Sequence, residues 1–445
     1  MLENQYDTLV AARWMIPVEN DGEILENHTL AIRRSKIAAI LPTAHAVDLN
    51  AGQRITLDHH ILMPGFVNLH GHSAMVLLRG LVDDLALMDW LNNHIWPAER
   101  RHMRADFVFD GTLLAMAEMI RSGTTTINDM YFYPTDMARA GCLAGLRTFV
   151  GCTILEFPTN YAQNAEEHLN KAMAERREFL GEERITFTLA PHAPYTVSDT
   201  TFSKIRVISE QEDLLIHCHI HETRTEVSDS VEQCHQRPLA RLKSLGLLSP
   251  RLIAAHMVHL STEEVELVAR HGVSVAHNPS SNMKLASGIA PINAMLQLGV
   301  NVGIGTDGAV SNNKLDMLSE LRLAALLAKA STHDPRVLPA ATVLRMATLN
   351  GAQALGIGHR VGSLVAGKQA DMIAIDVSAI ETTPMFNPIS HVVYVAGREQ
   401  VSHVWVDGCP LLINRQLTTL DEAALRANAH DWYHRVRPLP KLHFC

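Results

Sequence analysis

Histidines recur in this chain at spacings that suit a metal ion. His70 and His72 close the stretch Met63-Pro64-Gly65-Phe66-Val67-Asn68-Leu69. Side chains alternate across a strand, so both imidazoles face one way, roughly 6–7 Å apart along the backbone. Two imidazoles converging from one strand end can chelate a single ion. A second run, Leu214-Leu215-Ile216-His217-Cys218-His219-Ile220-His221-Glu222-Thr223, holds three histidines at alternate positions and then a glutamate. His217 and His219 share a face, but only one can stand at the rim of the strand. His219 is expected there, because Glu222 lies one short turn beyond it and could reach a water on the metal. His217 and His221 then read as core or supporting imidazoles. A third stretch, Gly303-Ile304-Gly305-Thr306-Asp307-Gly308, ends a strand in an aspartate among small residues. Glycines allow close approach, and the carboxylate offers a hard oxygen ligand.

Taken singly, each feature has a plain explanation: polar residues at a strand exit, or an aspartate capping a turn. Together, His70, His72, His219 and Asp307 would make a site of neutral imidazoles and one carboxylate, suited to Zn2+ and also to Fe2+ or Mn2+. A metal held this way brings the pKa of water toward 7 and supplies hydroxide at neutral pH. No lysine lies in the strand candidate Ile185-Thr186-Phe187-Thr188-Leu189-Ala190, so a carboxylated lysine bridging two metals is not expected. One metal ion is.

The elements that must position these residues follow from the same reading. Between about 61 and 365 short apolar strands alternate with helical stretches, the pattern of a parallel sheet with crossover helices. Eight strand candidates stand at 61–69, 124–129, 146–151, 185–190, 214–219, 252–256, 273–276 and 301–306. Eight such units close a (β/α)8 barrel, whose reactive residues sit at the C-terminal strand ends. In order, those ends carry His70/His72, Asp129, Cys152, His192, His219, His256, His277 and Asp307. Seven of the eight therefore finish in a His or Asp, and chance would scatter polar residues along the strands instead.

Residues 1–60 read as short strands around Thr8–Val10, Thr29–Arg33 and Lys36–Ile40. The texture returns at 371–376, 392–395 and 401–406, the last closed by the turn Asp407-Gly408. A small β-sandwich domain assembled from both termini (1–60 and 366–420) is expected around the barrel at 61–365. An amphipathic helix over 421–436 with its tail to 445 completes the chain.

Bulk properties narrow the function. The 445 residues are 47% hydrophobic and 19% charged, as in a globular protein with a large core. A net charge of −9, with only scattered basic pairs such as Arg33-Arg34, argues against a nucleic-acid polymer or an anionic membrane as partner. The six cysteines show no C-x-x-C spacing, which fits reduced thiols in the cytoplasm. The start, Met1-Leu2-Glu3-Asn4-Gln5-Tyr6-Asp7, is too polar for a signal peptide, and no apolar run reaches transmembrane length.

Nearly the whole chain resembles the amidohydrolase superfamily, and within it the 5′-methylthioadenosine/S-adenosylhomocysteine deaminases. The resemblance is carried by Pro64-Gly65-Phe66-Val67-Asn68-Leu69-His70-Gly71-His72, Leu78-Arg79-Gly80, Trp96-Pro97-Ala98-Glu99, Ala190-Pro191-His192-Ala193-Pro194-Tyr195 and His219-Ile220-His221-Glu222-Thr223. It continues through Ala255-His256, His277-Asn278-Pro279-Ser280-Ser281-Asn282-Met283-Lys284-Leu285, Gly305-Thr306-Asp307-Gly308, Ala347-Thr348-Leu349-Asn350-Gly351-Ala352 and Gly362-Ser363-Leu364-Val365-Ala366-Gly367-Lys368-Gln369-Ala370-Asp371. It implies His70, His72, His219 and Asp307 as metal ligands. It further implies that His256 and Asp307 take a proton from the attacking water while Glu222 donates one to the purine N1. Attack at C6 then releases ammonia and leaves an inosine-type product. Such chemistry needs an acid and a base at one carbon, with pKa values pushed apart. His192 maps beside the purine, and Glu99 to the ribose hydroxyls. Alone, Glu99 would read as a solvated helix residue.

One departure bears on the substrate. Members that accept S-adenosylhomocysteine can carry arginines just after the third strand. Here that stretch reads Gly151-Cys152-Thr153-Ile154-Leu155-Glu156-Phe157, with no arginine before Arg176. A carboxylate without a bidentate cation loses much of its recognition. The expected substrate is therefore methylthioadenosine or adenosine ahead of S-adenosylhomocysteine. Two alternatives share the framework: a deaminase or chlorohydrolase of another heterocycle (guanine-like or triazine), and a non-catalytic barrel. The first would leave Glu99 without a ribose; the second is disfavoured by the complete ligand set and Glu222. The cytidine-deaminase type of zinc site is excluded by the lack of H-x-E…P-C-x-x-C. A homo-oligomer is compatible with the sequence.

Overall fold

The computed structural model describes residues 6–437; the first five residues and the tail beyond Arg437 lie outside it. The N-terminal strands are β1 (Tyr6–Met15), β2 (Leu25–Arg33), β3 (Lys36–Pro42) and β4 (Ala51–Pro64). Eight more follow: β5 (Phe66–Gly71), β6 (Thr124–Tyr131), β7 (Arg147–Ile154), β8 (Ile185–Pro191), β9 (Ile216–Ile220), β10 (Leu252–His256), β11 (Ser274–His277) and β12 (Val302–Ile304). The chain returns through β13 (Met372–Asp376), β14 (Val401–Val406), β15 (Cys409–Ile413) and β16 (Gln416–Leu417).

Strands β5 to β12 pair in sequence order, all parallel, with helices on the crossovers. The seam between β12 and β5 is closed by the Asp307 amide donating to the His70 carbonyl at 2.9 Å. The Asn68 side chain adds to this closure by bonding both the backbone amide and the hydroxyl of Thr306. This is the expected (β/α)8 barrel. Its interior is filled by Val67, Leu69, Phe149, Ile253, Ala255 and Ala276. A larger apolar cluster lies between strands and helices. Crossover helices are capped locally: Ser261 and Glu264 form a reciprocal cap before Thr262–His271, which ends at Gly272 with φ +65°.

The remaining strands make one outer sheet in the order β16-β15-β14-β13-β4-β1-β2-β3, built from both ends of the chain. Two boundaries differ from the sequence reading. The stretch 61–69 is not one strand: Ile61–Pro64 pairs with β13 in the outer sheet, and Phe66 begins the barrel. Gly65 makes the break, since a Cβ there would lie 2.1 Å from a carbon of Thr125. Residues 392–395 are not a strand either. Asn387 caps a helix over Pro388–Tyr394 by accepting the Ser390 amide, and Ile389, Val392 and Val393 are buried at helical spacing. The Asp407-Gly408 hairpin and the closing helix, Glu422–Val436, stand where the sequence put them.

Sheet and barrel are joined through a buried ion cluster. Arg147, at the start of β7, grips Asp371 with two bonds of 3.0 and 3.1 Å and reaches Asp407 at 2.7 Å. The closing helix lays Trp432 against Phe107, its indole donating to Asp110 at 2.8 Å.

Candidate active site

The residues singled out in the sequence meet at the C-terminal ends of the barrel strands. Strand parity sends His70 and His72 inward from the end of β5, and β9 delivers His219 opposite them. Asp307, with φ +60°, turns its carboxylate into the same space. The Asp307 Oδ1 lies 3.3 Å from His70 Nε2 and 3.2 Å from His72 Nε2. The Nε2 atoms of His72 and His219 are 3.2 Å apart.

The tautomers follow from what stands behind each ring. His72 Nδ1 faces the Met130 carbonyl at 2.7 Å, and His219 Nδ1 faces the His192 carbonyl at 2.6 Å. A carbonyl only accepts, so each Nδ1 carries the proton. In the neutral rings both Nε2 lone pairs then point at each other and at a carboxylate. His70 Nε2 is buried with no hydrogen-bond partner, while its Nδ1 contacts His217 Nε2 at 2.8 Å. Acceptors gathered without a donor fit a divalent cation, and His70, His72 and His219 can present ligand atoms within 4.8 Å of one another. The site draws positive charge: burial works to lower His72, but the Asp307 carboxylate overrides it and lifts His72 to about 9. Burial pushes His219 well below the usual imidazole range, with His70 adding to it. Burial would raise Asp307, yet His70 and His72 hold it well below the ordinary carboxylate value.

Asp307 is fixed by further bonds. Its Oδ2 accepts from Ser281 at 2.6 Å and Ser311 at 3.0 Å, and its Oδ1 from the Gly308 amide at 2.8 Å. Asp129 accepts the Ser73 amide at 2.8 Å and so ties down the turn after His72.

His256 ends β10 in a left-handed conformation, φ +75°. Its Nδ1 bonds Asn282 Oδ1 at 2.8 Å, an acceptor, which leaves Nε2 bare. That Nε2 is 3.9 Å from Glu222 Oε2 and 4.0 Å from Asp307 Oδ2. Burial raises the Glu222 carboxyl, opposed first by His256. A carboxyl group and an imidazole thus stand side by side beside the acceptor cluster.

Beside them opens a cavity of about 550 Å³, lined among others by His72, Trp96, Glu99, Arg100, Tyr131 and His192. Glu99 is 8% exposed, and the Tyr131 hydroxyl donates to its Oε1 at 2.6 Å. Burial pushes His192 down to about 3, so the ring beside the cavity is neutral. Its Nδ1 lies 3.1 Å from the Thr196 hydroxyl.

All the expected site residues converge here. His217 supports His70 from behind, and His221 is spent on the His259 carbonyl and the Leu239 amide, as supporting imidazoles should be. Sequence reading missed Arg100, Tyr131, Asn282 and the Ser281/Ser311 pair. Tyr131 shared the inward parity of Asp129 on β6, and Ser281 and Asn282 stood inside a quoted motif. Arg100 carried no signal. It is the one guanidinium among the described residues lining the cavity, and it is exposed. Cys152 lies buried within β7, two residues short of its end, its thiol pushed up by burial, and offers no reactive group.

Comparison with known proteins agrees with this geometry. Residues 61–410 match the Amidohydrolase family. The chain is 42% identical to a 5-methylthioadenosine/S-adenosylhomocysteine deaminase of Teredinibacter turnerae, over 97% of this chain and 98% of that one. It is 44% identical to a 5′-deoxyadenosine deaminase of Methanothermobacter thermautotrophicus, over 81% and 84% of the two chains. The crystal structure of an adenosine deaminase from Xanthomonas campestris with bound zinc superposes with a TM-score of 0.96. That chain is 48% identical, with 98% of this chain and 99% of that one covered.

Proposed function

The chain belongs to the amidohydrolase family, and from that premise we propose that it hydrolyses the C6 amino group of adenosine-type nucleosides, releasing ammonia. The observation that carries the reading is the buried Glu99 carboxylate, aimed by Tyr131 into a cavity that also opens on His72 and His192. A carboxylate there takes the paired hydroxyls of a ribose, which a free base or a triazine lacks.

One divalent metal, zinc by analogy with the relative that holds it, would be bound by His70, His72, His219 and Asp307 and would make hydroxide available at neutral pH. The protein's own groups do the rest. His256 and Asp307 accept the proton of the attacking water, and His256 Nε2 is bare for the purpose. Glu222, whose carboxyl burial raises above the ordinary range, delivers a proton to N1 of the purine. His192 stays neutral and orients the base. The apolar walls given by Trp96, Leu155 and Phe157 suit an uncharged 5′ substituent. Methylthioadenosine or adenosine is therefore placed ahead of S-adenosylhomocysteine, whose carboxylate would meet only exposed Arg100. The same reading treats the barrel as the catalytic domain and the sheet from both termini as its support.

Among the described residues five cysteines are free, which suits a reducing cytoplasm. Among the described residues no helix is long and apolar enough to cross a membrane.

A panel of adenosine, methylthioadenosine, S-adenosylhomocysteine and guanine tests the reading by loss of the adenine absorption band and by ammonia release. Methylthioadenosine or adenosine should give the highest kcat/KM, and a chelator should abolish turnover until zinc is restored. Activity on guanine alone would overturn it.

A further inference from the structure

Glu222 stands just past the end of β9, on a turn whose successive backbone amides are held by one carboxylate. Glu226, 7% exposed, spends its two carboxylate oxygens on consecutive amides. Oε1 accepts the His221 amide at 2.8 Å, and Oε2 the Glu222 amide at 2.7 Å. His221 has φ +58°, a conformation that costs any residue with a Cβ and persists only where neighbours enforce it. The His221 ring pins the same turn from outside, with Nδ1 against the His259 carbonyl at 2.9 Å and Nε2 accepting the Leu239 amide at 3.2 Å. Glu226 is itself aimed: the Thr223 hydroxyl accepts its amide at 3.1 Å and caps the helix Arg224–Cys234, whose first turn faces the strand end.

We propose that Glu226 is a positioning residue for proton donation: by clamping the His221 and Glu222 amides, it fixes where the Glu222 carboxyl stands against His256 and the purine N1. The inference rests on Glu222 being the acid, as proposed above. Only a carboxylate can do this, because both oxygens must accept. A glutamine would set an NH2 group against one amide, and an aspartate is one methylene short. Both Glu226 oxygens are taken up by backbone amides, so its effect belongs to the chemical step rather than to ground-state binding.

The test compares wild type, E226Q, E222Q and E222Q/E226Q as zinc-loaded enzymes at pH 8, with zinc content and Tm recorded for each. A displaced acid costs on the order of 100-fold in rate. We expect E226Q to lose about that much kcat for adenosine, with KM changed less than about threefold and zinc retained. The double variant should be no slower than E222Q, because Glu226 acts through Glu222. If E226Q fails to fold, T223A, which removes only the hydroxyl aiming Glu226, should lower kcat in the same direction with KM held. A multiplicative loss in the double variant would overturn the clamp. So would wild-type kcat in E226Q, or in T223A where that stands in for it, beside a disabled E222Q. Wild-type kcat in E222Q would overturn the assignment of the acid instead.

Discussion

Burial lifts the Glu99 carboxyl to about 7, with the Tyr131 hydroxyl and His72 opposing it. The folded-state value lies above the ordinary 4.5, so the folded chain holds this proton more tightly than the unfolded one. The contribution to stability is complete below pH 4.5 and is lost as pH rises through 7, by about 3 kcal/mol in all. Binding runs the other way, since only the anion can accept two ribose hydroxyls. KM for adenosine should therefore rise as pH falls from 8 to 6. E99Q should flatten that dependence while raising KM at pH 8 roughly 10- to 100-fold, the cost of a charge-assisted bond. The same variant should unfold at a higher temperature than wild type at pH 8 and lose the advantage toward pH 5. A wild-type KM that is flat across this range would remove Glu99 from ribose recognition. The resemblance implied the ribose role of Glu99, but its burial was not legible beforehand: Tyr131, which bonds it, lies 32 residues away in sequence.

At the scale of elements, the last barrel strand comes so close to the first that only glycine fits. A Cβ on Gly305 would lie 2.4 Å from Asn278 Oδ1 and 2.8 Å from the backbone nitrogen and Cβ of His70. Overpacking of this kind costs about 1–3 kcal/mol or more, and here Asn278 and the backbone of His70, a member of the candidate metal group, must yield. G305A is expected to fold with a lowered Tm and to hold well under one zinc per chain, as measured by metal analysis after gel filtration. Full zinc content would show that β12 can shift without disturbing His70. The gathering of His70, His72, His219 and Asp307 was legible in the sequence because strand parity and strand ends are local rules: each needed only a face and a position. Other elements were legible only in part. Val392 and Val393 favour a strand by type, but the Asn387-Pro388 cap and burial at helical spacing decide for a helix. The break at Gly65 was hidden because apolar residues continue on both sides of it. What changes there is the partner strand, and period alone does not report a partner.

For the whole molecule, the Arg147 cluster couples the outer sheet to the barrel at the end opposite the chemistry. Arg147 is 3% and Asp371 3% exposed, so a broken pair leaves a charge stranded in the interior. D371A should cost about 3–5 kcal/mol in urea unfolding while leaving kcat within twofold of wild type, because β7 begins at the far rim. A large loss of kcat at unchanged stability would mean that the sheet reaches the site after all. The division of labour between ends has one more consequence. The histidines and Asp307 that fit a metal stand at strand ends, whereas Trp96, Arg100, Leu155 and Phe157 belong to segments laid over the rim. The reagent and the selector of this protein are therefore separately heritable. Substitutions at Trp96, Arg100, Leu155 or Phe157 are expected to change which amino-heterocycle is preferred while leaving the strand-end histidines and the barrel in place.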